Sequence, residues 1–275
     1  APLPRAWQWL DGSAFQSHGD LMSTVFNNPK LPYDDRPLMY QGLSDRFLSG
    51  TDDVPLPGGD DGIDFEGEFG VVTDAVPMGT SKAGAAAHIR LVVLINDWSL
   101  RRIAPIEMKT GFGWVQAKPP CTMAPFAVTP DELGDQWRDG RCCADLLVDW
   151  NGERFGAANG EPMGYGFHEL VAHACGTRDL VAGTVIGSGT VSNENFRECG
   201  SSCIAERRGI EIEPGRGVEE HQGLVGLGVG GAAGIVGADQ QGLAIRHQPY
   251  FLTNHHHGFR ATKPDCVQLM SCVAE

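Results

Sequence analysis

Residues 62–72 read GIDFEGEFGVV. Successive side chains of a strand point to opposite faces. Ile63, Phe65, Gly67, Phe69 and Val71 therefore fall on one side of an extended chain, and Asp64, Glu66 and Glu68 on the other. The alternation predicts a strand over 63–72 with an apolar and an acidic face. From Phe47 to Ser81 there is no Lys or Arg, while the same stretch carries the acids Asp52, Asp53, Asp60, Asp61, Asp64, Glu66, Glu68 and Asp74. Like charges on one strand face repel, so this face calls for a partner from elsewhere. Residues i and i+2 of a strand point the same way, about 7 Å apart. Glu66 and Glu68 can thus converge on one hard divalent cation, whose preferred ligands are carboxylate oxygens. Gly67 leaves no side chain on the opposite face, so another element can pack closely there. The alternative is an amphipathic strand whose acidic face meets water.

Working outward, IRLVVLINDWS (89–99) is a continuous apolar run ending in polar residues, the pattern of a strand buried on both faces. Asp97 at its end must be paired, liganded or placed at a cleft, or else it caps the strand. VTPDELGDQW predicts a helix start, with Thr129 as cap, Pro130 in the first position and Glu132 closing a capping box. ADLLVDWNGERFG predicts a hairpin with Asn151-Gly152 as a type I′ turn. GFHELVAHACG places Phe167, Leu170, Val171 and Ala174 at helical spacing, with Gly176 as the stop. LVAGTVIGSGTVSNEN (180–195) reads as a glycine-punctuated strand and loop, and 29–62 as loops and short strands. The fold class is α+β, rich in β, with a few short helices.

The chain has 275 residues, 41% of them hydrophobic and 20% charged, enough for a sizeable core. A net charge of −14 argues against a nucleic-acid binder, which needs a basic surface, and against adhesion to anionic membranes. It suits a small-molecule enzyme or a protein that holds cations. No apolar run is long enough to span a bilayer. The eight cysteines form no C-x-x-C and read as free thiols of a cytoplasmic protein.

Three blocks carry a resemblance. DFEGE, then NDWSLR followed by GFGWVQAKP, then GSGTVSNEN followed by SSCIAE resemble the signature blocks of the fumarylacetoacetate hydrolase family, in the family's order and at about its spacing. The likeness covers residues 1 to about 210 and is nearest to the shorter bacterial members. It implies the family's mixed β-sandwich roll and a single divalent cation, Mg²⁺ or Ca²⁺ with Mn²⁺ as a further candidate. Its ligands would be Glu66, Glu68, Asp97 and, from the spacing in DGSAFQSH, Asp11. The same spacing makes His18 the general base, which by itself is a loop histidine. Glu206, in SSCIAE, would orient it. Lys118 and Arg101 match residues that hold substrate or stabilise oxyanion charge. Lys118 also sits in an otherwise apolar stretch from Gly111 to Val128. Thr190 matches a residue that binds a substrate carboxylate, and Tyr40 a substrate-contacting tyrosine. Gly187 and Gly189 would let backbone amides approach an anion. One departure is Ala104, where the hydrolases often carry Gln.

The activity implied is hydrolysis of a C–C bond in a β-diketo acid by water activated at His18 and Glu206. Fumarylacetoacetate would give fumarate and acetoacetate, in tyrosine catabolism, and the assembly would be a homodimer. The alternatives are an acylpyruvate hydrolase, decarboxylase, isomerase or hydratase on the same scaffold, or an inactive member. The last is motivated by 211–275, where no core-building pattern is visible and 213–242 hold ten glycines. The expected organisation is a catalytic domain over 1–210, short of the family's N-terminal segment, and a divergent tail over 211–275. Two apparent metal motifs are set aside. His168 and His173 in HELVAH diverge by about 140° on a helix, and NHHHG (254–258) lies in the tail.

Overall fold

The segment expected as one strand over 63–72 is two. The computed structural model describes residues 1–25, 36–56, 59–212, 245–247 and 272–274. In chain order its strands are β1 (Trp9–Gly12), β2 (Met39–Gly42), β3 (Leu48–Ser49), β4 (Ile63–Asp64), β5 (Gly67–Thr73), β6 (Ile89–Asn96), β7 (Ser99–Leu100), β8 (Thr122–Val128), β9 (Trp137–Arg138), β10 (Arg141–Cys142), β11 (Asp145–Trp150), β12 (Glu153–Asn159), β13 (Val185–Gly187), β14 (Ile245–His247) and β15 (Cys272–Ala274). The helices are α1 (Gln16–Val25), α2 (Lys82–Ala85), α3 (Ala104–Met108), α4 (Phe167–Ala174), α5 (Phe196–Cys199) and α6 (Ile204–Ile212). β4 pairs with β7, and β5 enters the main sheet. The chain changes partners at Phe65 and Glu66, where Glu66 bridges to Cys203. The acidic face does not meet water: Asp64, Glu66 and Glu68 are all buried.

The main sheet has seven strands in the order β2-β1-β13-β5-β6-β8-β3. It is mixed: β1 runs parallel to β13 and β3 to β8, and the other pairs are antiparallel. A second sheet orders β12-β11-β15-β14. Its β11 packs over Gly67, where an added Cβ would stand 2.8 Å from Leu146 Cδ2. The close packing expected behind Gly67 is therefore supplied by this hairpin. Trp9, Phe69, Val71, Ile95, Met123 and Ile186 belong to one buried core cluster that covers both faces of the main sheet, and burial of side chains of this size is what holds such a fold together. The β-rich architecture with few helices agrees with the expected fold class.

Local signals fared unevenly. Asn151 and Gly152 have φ of 54° and 81°, so the β11–β12 hairpin closes on the expected type I′ turn. α4 forms as expected, and the Glu169 carboxylate accepts the Gly166 N–H at 3.0 Å. The helix expected after Thr129 is only a 3-10 turn, Pro130–Gln136, and Thr129 makes no side-chain cap. Gly134, at φ 51° and ψ −125°, breaks it after one turn. Six cysteines among the described residues are free thiols. Of 211–275, Glu211 and Ile212 end α6, β15 pairs with β11 at Trp150, and β14 pairs with β15. NHHHG lies outside the described residues. No helix among the described residues is long and apolar enough to cross a membrane.

Candidate active site

Four adjacent strands converge on one cluster of carboxylates. Asp11 is on β1, Glu68 on β5, and Asp97 follows β6, where its N–H donates to the Glu66 carbonyl at 3.0 Å. Between β1 and β5 runs β13, so these two strands are about 10 Å apart. Their carboxylates nevertheless meet, because the middle strand offers Gly187 at that level. A Cβ there would stand 2.3 Å from Asp11 Oδ1 and 2.7 Å from Glu68 Oε2. Oxygens of Asp11, Glu68 and Asp97 all lie within 4.8 Å of one another.

These side chains differ sharply in how they are satisfied. Glu68 has no polar partner other than the Asp11 carboxyl. Burial first, then Asp11 and Asp97, hold its carboxyl well above the usual range. Burial, reinforced by Asp97, pushes Asp11 up to about 8, although the Gly189 N–H donates to Asp11 Oδ1 at 3.1 Å. Asp97 accepts from Tyr40 Oη and Lys118 Nζ, both at 2.6 Å, and from Cys121 Sγ at 3.0 Å.

Glu66 points elsewhere. Its Oε1 accepts from Ser99 Oγ at 2.5 Å and Lys118 Nζ at 2.9 Å, and lies 3.2 Å from Arg101 Nη2; its Oε2 accepts from Thr190 Oγ1 at 2.5 Å. Burial alone would raise this carboxyl, but Arg101 and Lys118 hold it well below the usual range. Lys118 thus bridges Glu66 and Asp97. It also lies 5.2 Å from the Tyr40 ring centroid and 5.7 Å from that of Trp114.

Beside the cluster, α1 brings His18 and α6 brings Glu206. His18 Nδ1 is 3.5 Å from Glu206 Oε1. Ser201 Oγ donates to Glu206 Oε2 at 2.7 Å. Burial would raise the Glu206 carboxyl, but its contact with His18 leads a set of interactions that hold it lower.

The chain of contacts therefore links all four expected cation ligands with the expected catalytic residues His18, Glu206, Lys118 and Arg101. Two details differ from the expectation. Glu66 is joined to the other three carboxylates through Lys118 rather than by direct convergence. Tyr40, Thr190 and the Gly189 amide, assigned to substrate, all donate to site carboxylates.

Several residues escaped the sequence reading. Asp64 accepts the N–H groups of Ile204 and Ala205 at 2.7 and 3.0 Å, and Arg101 Nε at 2.8 Å. It thereby ties the first turn of the helix bearing Glu206 to Arg101. Its place on the same strand face as Glu66 was the available signal. Glu107 accepts from Val115, Gln116 and Ala117 N–H at 2.9–3.0 Å, which fixes the loop leading to Lys118. Ser99, Cys121 and Cys203 had no signal of their own.

The residues present fit a divalent cation. Asp11, Asp64, Glu66, Glu68 and Asp97 are buried carboxylates, and the basic side chains paired with them are Lys118 and Arg101. Buried charge of one sign must be neutralised, and the oxygens of Glu68, with those of Asp11 and Asp97, are a hard donor set.

Comparison with known proteins gives the family and the fold. Residues 8–223 match the family model described as "Fumarylacetoacetate (FAA) hydrolase C-terminal". The chain belongs to the fumarylacetoacetate hydrolase family. A curated relative, 2,4-didehydro-3-deoxy-L-rhamnonate hydrolase of Sphingomonas sp. (strain SKA58), is 28% identical over 163 residues, 58% of this chain and 54% of the relative. The chain thus spans about half the length of that relative. The fumarylpyruvate hydrolase of Pseudomonas aeruginosa, solved in complex with Mn²⁺ and pyruvate, superposes with a TM-score of 0.54 at 13% identity, covering 67% of this chain and 78% of that one. The 5-carboxymethyl-2-hydroxymuconate delta-isomerase of Mycobacterium smegmatis gives 0.50 at 21% identity, covering 67% and 68%. These two likenesses establish a shared fold. The relatives so named are hydrolases and an isomerase.

Proposed function

We propose that the protein is a cation-dependent hydrolase that cleaves a C–C bond in a β-diketo acid. The observation that carries this reading is a hard, buried carboxylate cluster beside a histidine–glutamate pair. When bound, the cation supplies Lewis acidity, polarising a substrate carbonyl and balancing enolate charge. Asp11, Glu68 and Asp97 would hold it, with Glu66 beside them. His18 takes a proton from water, and Glu206 orients its ring and stabilises the charged form. The hydroxide adds to a carbonyl carbon, and the Lys118 ammonium and Arg101 guanidinium supply positive charge to the oxyanion that forms. Collapse breaks the C–C bond, and His18 returns the proton to the departing carbanion. Thr190 and Tyr40 donate their hydroxyl hydrogen bonds to Glu66 and Asp97 and so hold those carboxylates in place beside the substrate.

Fumarylacetoacetate, yielding fumarate and acetoacetate, is the first substrate of this reading. An acylpyruvate is the second, since Ala104 in place of Gln suits a different substrate and a relative of the same fold is a fumarylpyruvate hydrolase. Mg²⁺, Ca²⁺ and Mn²⁺ are the candidate ions, and the manganese complex of the Pseudomonas relative supports the class. A cytoplasmic homodimer, with residues 1–210 as the catalytic unit, belongs to the same proposal. The test is to incubate the protein with Mg²⁺ and a panel of acylpyruvates and β-diketo acids, following loss of enol absorbance with and without a chelator. Chelator-sensitive loss with C–C cleavage products is expected. Isomerised or decarboxylated products, or no cation dependence, would overturn it.

A further inference from the structure

Beside the oxygen cluster lies a second group of different chemistry. A ring nitrogen of His18, Cys203 Sγ and a Glu206 carboxylate oxygen all lie within 4.8 Å of one another. Cys203 and Glu206 are buried, and His18 is 13% exposed. His18 Nδ1 and Glu206 Oε1 face each other at 3.5 Å, and neither has a closer hydrogen-bond partner among the described residues. Cys203 Sγ accepts the Glu206 N–H at 3.3 Å, a bond that a metal-bound sulfur can keep.

We propose that His18, Cys203 and Glu206 form a second metal site, selective for a borderline-soft cation such as Zn²⁺, and that filling it switches the catalytic pair off. Zinc favours nitrogen and sulfur with one carboxylate, in a tetrahedron of bonds about 2.0–2.3 Å long. That geometry requires ligand atoms about 3.3–3.8 Å apart, so small side-chain adjustments close the site. Three protein ligands leave one position for water. The thiol proton leaves to the buffer as sulfur bonds the metal. The carboxylate cluster, with oxygen donors, takes the hard ion instead. With Nδ1 bound to zinc the neutral ring carries its proton on Nε2, so His18 cannot take one from water and the site inhibits. Only this inhibitory consequence rests on the proposed function; the binding does not.

The binding is tested with Co²⁺ as the spectroscopic probe, on the full chain saturated with Mg²⁺. A thiolate-to-cobalt absorption in the near ultraviolet is expected, displaced by Zn²⁺ and lost in Cys203→Ser. His18→Gln serves as the second variant and should weaken cobalt binding about 10–100-fold or more. A band that survives Cys203→Ser, or that vanishes instead in Cys121→Ser, overturns the assignment. For inhibition, each variant is compared with its own zinc-free rate. Cys203→Ser should raise the Zn²⁺ needed for half inhibition about 10–100-fold, and extra Mg²⁺ should not relieve inhibition of the parent protein. Relief by Mg²⁺ together with unchanged sensitivity in Cys203→Ser would place zinc in the carboxylate cluster and overturn the switch. If no keto acid turns over, the cobalt result still decides the site.

Discussion

Glu66 and Glu68 stand two residues apart, yet the regions around them are opposites. Around Glu66 gather donors: Ser99, Thr190, Lys118 and Arg101. Around Glu68 gather acceptors: Asp11 and Asp97, over the bare backbone of Gly187. The first region is complete without a ligand. The second has three carboxylates and one ammonium, Lys118, which pairs with Asp97. Identical side chains are thus made into an ion-paired anion and a carboxyl suited to a cation by what their neighbouring strands bring to them.

The largest effect expected is on activity. Glu68→Ala removes a cation ligand and should lower cation-dependent turnover by about 10²–10⁴-fold, since Lewis-acid assistance is worth several kcal/mol. Its melting temperature should no longer rise with Mg²⁺ or Mn²⁺. A rise equal to that of the parent would erase the contrast. Glu66→Ala should instead destabilise the cation-free protein, by about 3–5 kcal/mol, because it strands buried positive charge at Lys118 and Arg101. Denaturant unfolding with chelator present separates the two variants. Equal losses of stability would show that the regions are alike.

The two regions should also answer pH with opposite sign. Asp11 is raised, so the stability it contributes to the cation-free protein is complete below about 4 and lost as pH climbs through about 8. Glu66 is lowered, so its contribution is present above about 4.3 and lost as pH falls through its folded value. Cation binding must displace the protons held at Asp11 and Glu68. Titration calorimetry near pH 7 in buffers of different ionisation enthalpy should therefore report proton release; identical heats in all buffers would contradict it. The smallest effect is a surface control. Lys82 pairs with Glu169 at 2.8 Å but its side chain is 64% exposed. Lys82→Ala should change stability by no more than about 0.2–1 kcal/mol, and a larger loss would mean that exposure is a poor guide here.

Much of this was legible in the chain, for reasons that differ by residue. The Asn151-Gly152 turn and α4 follow local rules that act over a few neighbours. The acidic alternation at 64–68 marked the site strand, and NDWSLR marked Asp97. Asp11 and His18 were reachable only through the family pattern, because nothing local distinguishes them. The 3-10 turn after Thr129 was misread as a helix because Gly134 ends it within one turn. The 63–72 strand was misread as continuous because alternation records which way side chains point and not which strand each residue pairs with.

By itself, then, the sequence determined the β-rich class, the acidic strand, and the kinds of atom available for chemistry, since these depend on composition and on periods of two or four residues. Only the tertiary structure decided which carboxylates meet. It set Gly187 between Asp11 and Glu68, turned Glu66 towards Lys118 and Arg101, and used Asp64 to join Arg101 to the helix of Glu206. Those choices rest on strand order and on partners distant in the chain, and charge is assigned a role only when burial fixes its neighbours.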